Sequence, residues 1–579
     1  MLDIKSKTQH HPVPEQTITG AEAIMRCLVE EGVETIFGYP GGAIMPVYDA
    51  LYDYMNQINH ILVRHEQGAA HAAQGYARVS GKAGICLVTS GPGATNLVTG
   101  IADALMDSTP LICIVGQVKD TLLGTDAFQE ADVINITSPI TKWNYQITNS
   151  DEIPEILAKA FYIANSGRPG PVVIDVTKNA QQDKMSKAFS YKKCKQLTTY
   201  HPRLVPKPDQ VNVAAELINA AQKPYLFVGH GVLISKAETE LKAFAEKAGI
   251  PVASTLLGLS AFPVDHPLYV GMLGMHGNYG SNVLINEADL IIAVGMRFDD
   301  RVTGELSKFA LNAKVVHIEI DPAEINKIMK ADAPVVGDAK EVLKELLPKI
   351  NKREHTEWIS QFKELNKLEF EKVVKKEIMP HADGAITMGE VIHMLSDKTK
   401  GMATIIADVG QHQMISARYY NFAKTDGWVT SGGMGTMGFA LPAAFGVKVA
   451  KPQREAIAVI GDGCFQMTLQ ELGTIAQSKL PVKIIILNNN YLGMVRQWQE
   501  LFFNNRYSFV ELQNPDFVAI SKGFGVDGEK VNTREELETA LDRMLNATTP
   551  YLLDITVLKQ HNVFPMIATG SGVSEMRLE

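Results

Sequence analysis

Short apolar runs rich in β-branched residues alternate with helical stretches along nearly the whole chain. Clear examples are GICLVTS (84–90), PLICIVG (110–116), PVVIDV (171–176), PYLFVGHG (224–231), LIIAVG (290–295), AIAVIGDG (456–463) and VKIIILNNN (482–490). Continuous apolar runs of this length, separated by helices, are typical of parallel strands that are covered on both faces. The pattern therefore predicts an α/β fold of doubly wound parallel sheets.

Two polar stretches interrupt this alternation and divide the chain. With 579 residues, the chain is too long for one hydrophobic core. Residues 186–210 are polar, basic and interrupted by prolines, and residues 351–385 read as a highly charged helix followed by a Pro/His/Gly turn. We interpret both stretches as linkers. The predicted domains are then residues 14–185, 211–350 and 386–579.

The net charge restricts the kinds of molecule that this chain can bind, and the cysteine content indicates the cellular compartment. The formal net charge is −9 at pH 7, so the chain lacks the basic surface that nucleic acid or anionic lipid would need. No apolar stretch is long enough to span a bilayer, and residues 1–20 resemble neither a signal peptide nor a transit peptide. Five scattered cysteines without a CxxC pair favour a reducing cytoplasm. We expect a cytoplasmic protein that acts on a small molecule.

A carboxylate lies at the entrance of a helix made mostly of glycine and alanine. In residues 61–81, ILVRHEQGAAHAAQGYARVSG, Glu66 follows an apolar strand-like run. Its charge suits the positive end of a helix dipole, and first-turn acids are common. Alternatively, Glu66 faces a ligand, because open parallel sheets bind ligands at the carboxyl ends of their strands. The small residues that follow would let this helix approach a cofactor and a partner subunit closely.

A second group of residues predicts a metal and phosphate site. Gly461, Asp462 and Gly463 end a strand and precede a helix that we predict to begin near Met467. Flanking glycines let the backbone approach a ligand, the helix N-terminus favours a phosphate, and Mg²⁺ would bridge that phosphate to the aspartate. Asn489 follows the next strand and offers a neutral oxygen ligand at the same sheet edge. An isolated GDG would be a tight turn.

One structural unit is predicted to occur twice. Residues 86–117 and 457–489 both run from a strand through a glycine-flanked turn and a helix to a proline and a second strand. Such units are widespread, so the correspondence is only suggestive. Where the first copy has Gly91, the second has Asp462, which places the acidic ligand in the second copy alone.

These features resemble the GDG…NN fingerprint of the thiamine diphosphate enzymes. Over essentially the whole chain, the sequence is similar to the catalytic subunits of the acetolactate synthase (acetohydroxyacid synthase) family. The motifs that carry this resemblance are IFGYPGGAIMPVYDAL (36–51), TSGPGATN (89–96), GTDAFQE (124–130), SGRPGPV (166–172), LGMHG (273–277), RFDDRVTG (297–304), GQHQM (410–414), GGMGTMGFALPAA (432–444) and NNNYLGMVRQWQ (488–499). The resemblance implies a pyrimidine-binding domain, a central FAD-type domain and a diphosphate-binding domain.

The resemblance also assigns cofactor residues. Glu66 would hydrogen-bond N1′ of the thiamine aminopyrimidine and so favour the imino form that deprotonates C2, and Met437 would hold the cofactor in its bent shape. The implied thiamine diphosphate contacts are Glu66, Gly410, Gln411, His412, Gly435, Met437, Gly461, Asp462, Gly463, Asn489, Gly493 and Met494. The implied Mg²⁺ ligands are Asp462, Asn489 and Tyr491.

Catalytic and substrate residues follow in the same way. The implied catalytic residues are Glu66, Gly116, Gln129 and Lys178, and the implied substrate contacts are Phe128, Met275, Arg301 and Trp498. Arg301 would anchor the carboxylate of the second ketoacid through its guanidinium fork, and Trp498 would favour 2-ketobutyrate over pyruvate as acceptor. Taken alone, Arg301 could equally form a surface ion pair with Asp299 or Asp300.

The FAD assignment rests on the resemblance, because VGHG (228–231) lacks the full dinucleotide fingerprint. The implied FAD contacts are Arg168, Gly229, Gly231, Thr255, Leu256, Met275, Gly277, Arg297, Glu319 and Asp338. Since the family's reaction has no net redox change, the flavin would be structural.

The family's activity is the expected function. Pyruvate is decarboxylated on thiamine diphosphate, and the hydroxyethyl carbanion is ligated to a second 2-ketoacid. The products are 2-acetolactate or 2-aceto-2-hydroxybutyrate, precursors of branched-chain amino acids. The resemblance implies homodimers or homotetramers with sites between subunits and a separate regulatory small subunit. An FAD-dependent pyruvate oxidase, or another thiamine diphosphate decarboxylase or carboligase, stays open as an alternative. A non-enzymatic nucleotide-binding scaffold would require Glu66, Asp462 and Asn489 to be incidental.

Overall fold

The computed structural model describes residues 17–202, 205–381 and 384–579. These residues form three consecutive α/β units, each built on a six-stranded parallel sheet. The predicted α/β class with three parallel-sheet domains is therefore confirmed. The opening of the chain, the start of the first predicted domain and part of each predicted linker lie outside the described residues, and the domain boundaries stay predictions.

The first unit has the strand order β2-β1-β3-β4-β6-β5. Its strands are β1 (Thr35–Gly38), β2 (Asn59–Leu62), β3 (Gly84–Val88), β4 (Leu111–Gln117), β5 (Trp143–Ile147) and β6 (Pro171–Thr177). Its helices are α1 (Gly20–Glu31), α2 (Met45–Tyr52), α3 (Glu66–Ser80), α4 (Pro92–Thr95), α5 (Val98–Met106), α6 (Val133–Thr137), α7 (Ile153–Asn165) and α8 (Lys178–Gln182). Strands β3, β4 and β6 are buried along their whole length, as their continuous apolar runs predict.

The second unit has the strand order β12-β11-β10-β7-β8-β9. Its strands are β7 (Pro224–Val228), β8 (Val252–Ser254), β9 (Tyr269–Met272), β10 (Leu290–Val294), β11 (Lys314–Glu319) and β12 (Ala333–Val336). Its helices are α9 (Pro208–Ala220), α10 (His230–Ile234), α11 (Glu238–Ala248), α12 (Tyr279–Val283), α13 (Asp300–Thr303) and α14 (Ala339–Leu346). Helices α15 (Thr356–Glu369) and α16 (Lys375–Ile378) then lead to the third unit, joined by a π-helical turn at Phe370–Val374.

The third unit has the strand order β14-β13-β15-β16-β18-β17. Its strands are β13 (Thr404–Ala407), β14 (Trp428–Thr430), β15 (Ala456–Gly461), β16 (Lys483–Asn488), β17 (Asp527–Val531) and β18 (Tyr551–Thr556). Its helices are α17 (Met388–Thr399), α18 (Gln411–Tyr419), α19 (Ala440–Ala450), α20 (Asp462–Thr468), α21 (Leu472–Gln477), α22 (Gly493–Phe502), α23 (Phe517–Gly523) and α24 (Arg534–Asn546).

The first and third units share one topology. Numbered within each unit, both sheets have the order 2-1-3-4-6-5. Strands β3 and β4 of the first unit correspond in position to β15 and β16 of the third, as the matching segments of sequence predicted. The structure corrects one detail, because the helix after the GDG motif begins at Asp462 and not near Met467. The first turn of a helix has no intrahelical partners for its N–H groups, so Gly463 is tolerated there.

Helix α3, the helix of small residues, packs against α19 of the same chain. A Cβ added to Gly75 would lie 2.2 Å from the Ala443 carbonyl oxygen, and one added to Gly446 would lie 1.9 Å from the Ala72 carbonyl oxygen. Both helices are buried in a core shared by the first and third units. The small residues therefore serve a contact between two units of one chain, and the expected approach of this helix to a cofactor and a partner subunit stays a prediction.

The Gly446→Ala variant is expected to be destabilised because its methyl group overlaps the backbone of α3. Overpacking of this kind costs about 1–3 kcal/mol in the free energy of unfolding. The matched control is Gly523→Ala in α23, where a Cβ would meet nothing within 4 Å, and where alanine favours the helix by up to about 1 kcal/mol. Urea unfolding of both variants measures the difference. Equal midpoints for the two variants would contradict the packing described here.

Two predictions about composition can be compared with the structure. All five cysteines are free. Within the described parts of the chain, no helix is both long and apolar enough to cross a membrane.

Candidate active site

A cavity of about 930 Å³ lies between the second and third units and is closed on one side by segments 106–108 and 165–169 of the first unit. Its walls are built from the turns that follow β7, β10 and β11 on one side and β13, β15 and β16 on the other. These turns stand at the carboxyl ends of parallel strands, where α/β proteins bind their ligands. Two sheet edges therefore face a common space.

The wall from the third unit carries the residues of the GDG…NN pattern. Asp462 is 1% exposed at the first position of α20, and burial raises the pKa of its carboxyl group to about 6. Its Oδ2 accepts a hydrogen bond from Asn514 Nδ2 at 2.6 Å, and Asn489 Oδ1 accepts one from the Tyr491 N–H at 3.1 Å. All of these except Asn514 line the cavity. A buried carboxylate beside an amide oxygen is a donor set that suits a hard divalent cation.

His412 offers an unpaired nitrogen to the same space. The ring lines the cavity, and its buried Nε2 has no hydrogen-bond partner among the described residues. Burial lowers the pKa of His412 to about 3, so the imidazole is neutral. A Cβ at Gly461 would lie 2.7 Å from the His412 Cε1 atom, which explains why a glycine stands there. The open nitrogen fits a ligand such as a diphosphate group.

A neighbouring cluster of possible metal ligands is structural. Asp408, His412 and Cys464 place one ligand atom each within 4.8 Å of one another. However, the Asp408 carboxylate already accepts hydrogen bonds from the Val409, Gly438 and Ala440 N–H groups. The Cys464 thiol donates to the Val409 carbonyl oxygen at 3.2 Å, and burial raises its pKa. Asp408 therefore orders the turn around Met437 instead of offering free oxygens.

The wall from the second unit holds most of the predicted FAD residues. All of them line the cavity except Gly277, which lies behind the wall in a tight turn closed by its N–H bond to the Gly274 carbonyl oxygen. Arg168 forms an ion pair with Glu324 at 3.0 Å, and burial raises the pKa of Glu319 to about 7. The buried Ser235 hydroxyl also lines the cavity and has no partner among the described residues. These groups fit an elongated polar ligand.

Three of the predicted substrate contacts lie where the two walls meet. Met275, Arg301 and Trp498 line the cavity. The Arg301 side chain is 60% exposed and lies 3.6 Å from Asp300, a surface pair that contributes little stability by itself. Its guanidinium therefore stays available to a carboxylate.

Five predicted residues of the first unit do not line this cavity: Glu66, Gly116, Phe128, Gln129 and Lys178. Glu66 is the first residue of α3, and its Oε2 accepts a hydrogen bond from Asn96 Nδ2 at 2.9 Å. Phe128 is 88% exposed, and Gln129 has a positive φ of 59°. One chain thus presents a thiamine-type cavity and, separately, the edge that carries Glu66.

Several residues of the site carry no recognisable sequence signal. Asn514 follows the GDG motif by 52 positions and is isolated in the sequence. Asp107 accepts hydrogen bonds from the Gly432 and Gly433 N–H groups, although it belongs to the first unit. Such contacts between units depend on the tertiary fold, so no local pattern could have revealed them.

Comparison with known proteins first identifies the class. Family models of thiamine pyrophosphate enzymes match in three places: the N-terminal TPP-binding domain at residues 18–136, the central domain at 211–346 and the C-terminal TPP-binding domain at 408–555. Together with the cavity at two sheet edges, these matches define a thiamine diphosphate enzyme.

Individual relatives then identify the family. The acetolactate synthase large subunit of Corynebacterium glutamicum is 46% identical over 97% of this chain and 90% of its own length. The acetolactate synthase isozyme 2 large subunit of Escherichia coli is 44% identical over 96% of this chain and 99% of its own. The probable acetolactate synthase large subunit of Methanocaldococcus jannaschii is 46% identical over 96% and 95%. The chain belongs to the acetolactate synthase large-subunit family, and the resemblance drawn from its motifs is confirmed.

Proposed function

We propose that this chain is the catalytic subunit of an acetolactate synthase that ligates a two-carbon unit from pyruvate to a second 2-ketoacid. The observation that carries the proposal is the cavity in which Asp462 and Asn489 stand on the wall of the third unit, while Met275, Arg301 and Trp498 lie where the two walls meet. The wall of the third unit suits a cation and a diphosphate, and the junction of the walls offers a guanidinium and an aromatic surface for a small ketoacid.

The residues of this chain have distinct roles in that reaction. Thiamine diphosphate, when bound, supplies the electron sink for decarboxylation. Asp462, Asn489 and Tyr491 would hold Mg²⁺, and His412 would contact the diphosphate. Glu66 holds a proton at N1′ of the aminopyrimidine, and positioned proton transfer of this kind contributes about 10²–10⁴ in rate. Arg301 orients the acceptor by its carboxylate, so that the acceptor carbonyl points toward the donor carbon.

The same proposal covers the other cofactor and the assembly. FAD would lie against the wall built by Arg168, Gly229 and Arg297 and would take no part in electron transfer. Because Glu66 lies outside the cavity of its own chain, the complete site forms between two chains of a homodimer or homotetramer. A regulatory small subunit binds separately. The free cysteines favour the cytoplasm.

An FAD-linked pyruvate oxidase is the alternative that shares these cofactors. Product analysis separates the two activities: the purified chain receives pyruvate, thiamine diphosphate, Mg²⁺ and FAD under nitrogen. Acetolactate, detected as acetoin after acid treatment, with the flavin still oxidised, is the expected result. Acetate with bleached flavin would refute the proposal.

Replacement of Trp498 by leucine is expected to remove the preference for 2-ketobutyrate over pyruvate as acceptor. The preference depends on contact with one additional methyl group, which is worth about 1–3 kcal/mol in a fitted pocket. The competition between the two acceptors is measured from the ratio of products. Phe502→Leu is the control, because that ring contacts Trp498 at 5.3 Å between centroids but does not line the cavity. An unchanged ratio in Trp498→Leu would remove this residue from the acceptor pocket.

A further inference from the structure

Asp107 lies at the junction of the first unit with both walls of the cavity. Its carboxylate is 1% exposed and follows the end of α5. Oδ2 accepts a hydrogen bond from the Gly432 N–H at 2.9 Å, and Oδ1 accepts one from the Gly433 N–H at 2.7 Å. Arg78 on α3 donates to Oδ2 at 2.8 Å. A carboxylate with this many partners is held firmly in one position.

The glycine-rich loop that Asp107 holds, residues 431–437, is the proposed thiamine contact. It carries Gly435, which has a positive φ of 69°, and Met437, and both line the cavity. Glycines leave a loop with large conformational freedom that must be lost on ordering. A Cβ on Gly433 would lie 2.9 Å from Asp107 Oδ1. The carboxylate thus replaces the side chains that would otherwise fix this loop.

The same short segment, residues 106–108, contacts the proposed flavin wall. The Ser108 hydroxyl accepts a hydrogen bond from Arg168 Nε at 2.8 Å. The Asp107 carbonyl oxygen lies 3.2 Å from His230 Nδ1, and His230 stands between the glycines that follow β7. Arg168 and His230 both line the cavity. Segment 106–108 therefore joins the flavin wall to the thiamine loop.

We propose that Asp107 is a positioning residue that couples flavin binding to the order of the thiamine loop. A flavin held by Arg168 fixes segment 106–108, and Asp107 transmits that order to residues 431–437 through its two backbone hydrogen bonds. The inference rests on the proposed function, since it requires that both cofactors bind this cavity. In a reaction that has no net redox change, the flavin would then serve to order the thiamine loop.

Binding measurements test this coupling without reference to turnover. Thiamine diphosphate with Mg²⁺ is titrated calorimetrically into the full-length apoprotein, with and without saturating FAD. FAD is expected to tighten thiamine diphosphate binding by about 5-fold or more, and linkage requires thiamine diphosphate to tighten FAD binding by the same factor. In Asp107→Asn, both cofactors still bind, but the coupling falls below about 2-fold.

Two further variants keep the test decisive. Asp289→Asn is the matched control, because Asp289 also accepts one backbone N–H on each oxygen, from Gln222 and Lys223 at 2.7 and 2.9 Å, yet does not line the cavity. Its coupling should equal that of the wild type. If Asp107→Asn does not fold, Ser108→Ala removes the shorter of the two hydrogen bonds between Arg168 and this segment, leaving the one from Arg168 Nη2 to the Met106 carbonyl oxygen at 3.4 Å, and should also reduce the coupling.

The outcomes separate this inference from the proposed function. Independent binding of the two cofactors to the wild type would overturn the coupling and leave the proposed function intact. If Asp107→Asn or Ser108→Ala kept the wild-type coupling between the two cofactors, segment 106–108 would not transmit it. A wild type that binds thiamine diphosphate but no FAD would refute the flavin assignment itself, and the coupling with it.

Discussion

Replacement of Glu66 by glutamine should abolish nearly all carboligation while cofactor binding is retained. The variant keeps the shape of the side chain and the hydrogen bond from Asn96, but it cannot hold the proton at the aminopyrimidine N1′. Loss of a positioned proton-transfer group lowers the rate by about 10²–10⁴. Steady-state turnover with pyruvate measures kcat, and titration measures the affinity for thiamine diphosphate, which should change little because the diphosphate is held by the third unit.

The control for this variant is Glu155→Gln, whose side chain is 73% exposed on α7 and, among the described residues, forms an ion pair with Lys159 alone. It should be fully active. If Glu66→Gln turned over at the wild-type rate, Glu66 would have no catalytic role. It would then be a first-turn acid that interacts with the helix dipole.

The Asp462→Asn variant is expected to lose Mg²⁺-dependent binding of thiamine diphosphate. The substitution removes the charged oxygen ligand but keeps the size and burial of the side chain. In the presence of Mg²⁺, the affinity should fall on the order of 100-fold, which corresponds to about 2.7 kcal/mol. Without Mg²⁺ the variant should bind thiamine diphosphate more tightly than the wild type does, because a buried carboxylate repels the diphosphate and an amide does not. Calorimetric titrations with and without Mg²⁺ measure both effects.

Asp527→Asn, at the exposed start of β17, is the control and should bind as the wild type does. Equal affinities of Asp462→Asn and the wild type in Mg²⁺ would show that the cation is held elsewhere in the cavity.

Local sequence patterns predicted the parts of this molecule that depend on local physics. Buried parallel strands are continuous apolar runs, so the runs before Gly91 and Asp462 revealed both the fold class and the repeated unit. The GDG turn and Asn489 converge because neighbouring parallel strands end at one sheet edge. The family resemblance added the residues of the flavin wall, which the incomplete glycine fingerprint alone could not supply.

Local sequence patterns did not predict the contacts between units. Glu471 accepts a hydrogen bond from the Arg64 N–H at 3.0 Å although 407 positions separate the two residues. The same holds for Asp107 and its glycine loop. The contact between α3 and α19 was missed for this reason: small residues predict close approach, but they do not identify the surface that is approached. Local patterns also could not show that Glu66 lies outside the cavity of its own chain, whereas the family resemblance implied sites between subunits.

If Glu66 of one chain completes the cavity of another, mixing two inactive variants should restore part of the lost activity. Glu66→Gln and Asp462→Asn chains are unfolded together, refolded together and assayed for acetolactate, with differently tagged chains reporting that mixed oligomers have formed. In a mixed dimer, one site combines the intact Glu66 of one chain with the intact Asp462 of the other. Random pairing then restores about a quarter of wild-type activity. If mixed dimers form and no activity returns, each site is built within a single chain and the proposal of a site shared between chains is wrong.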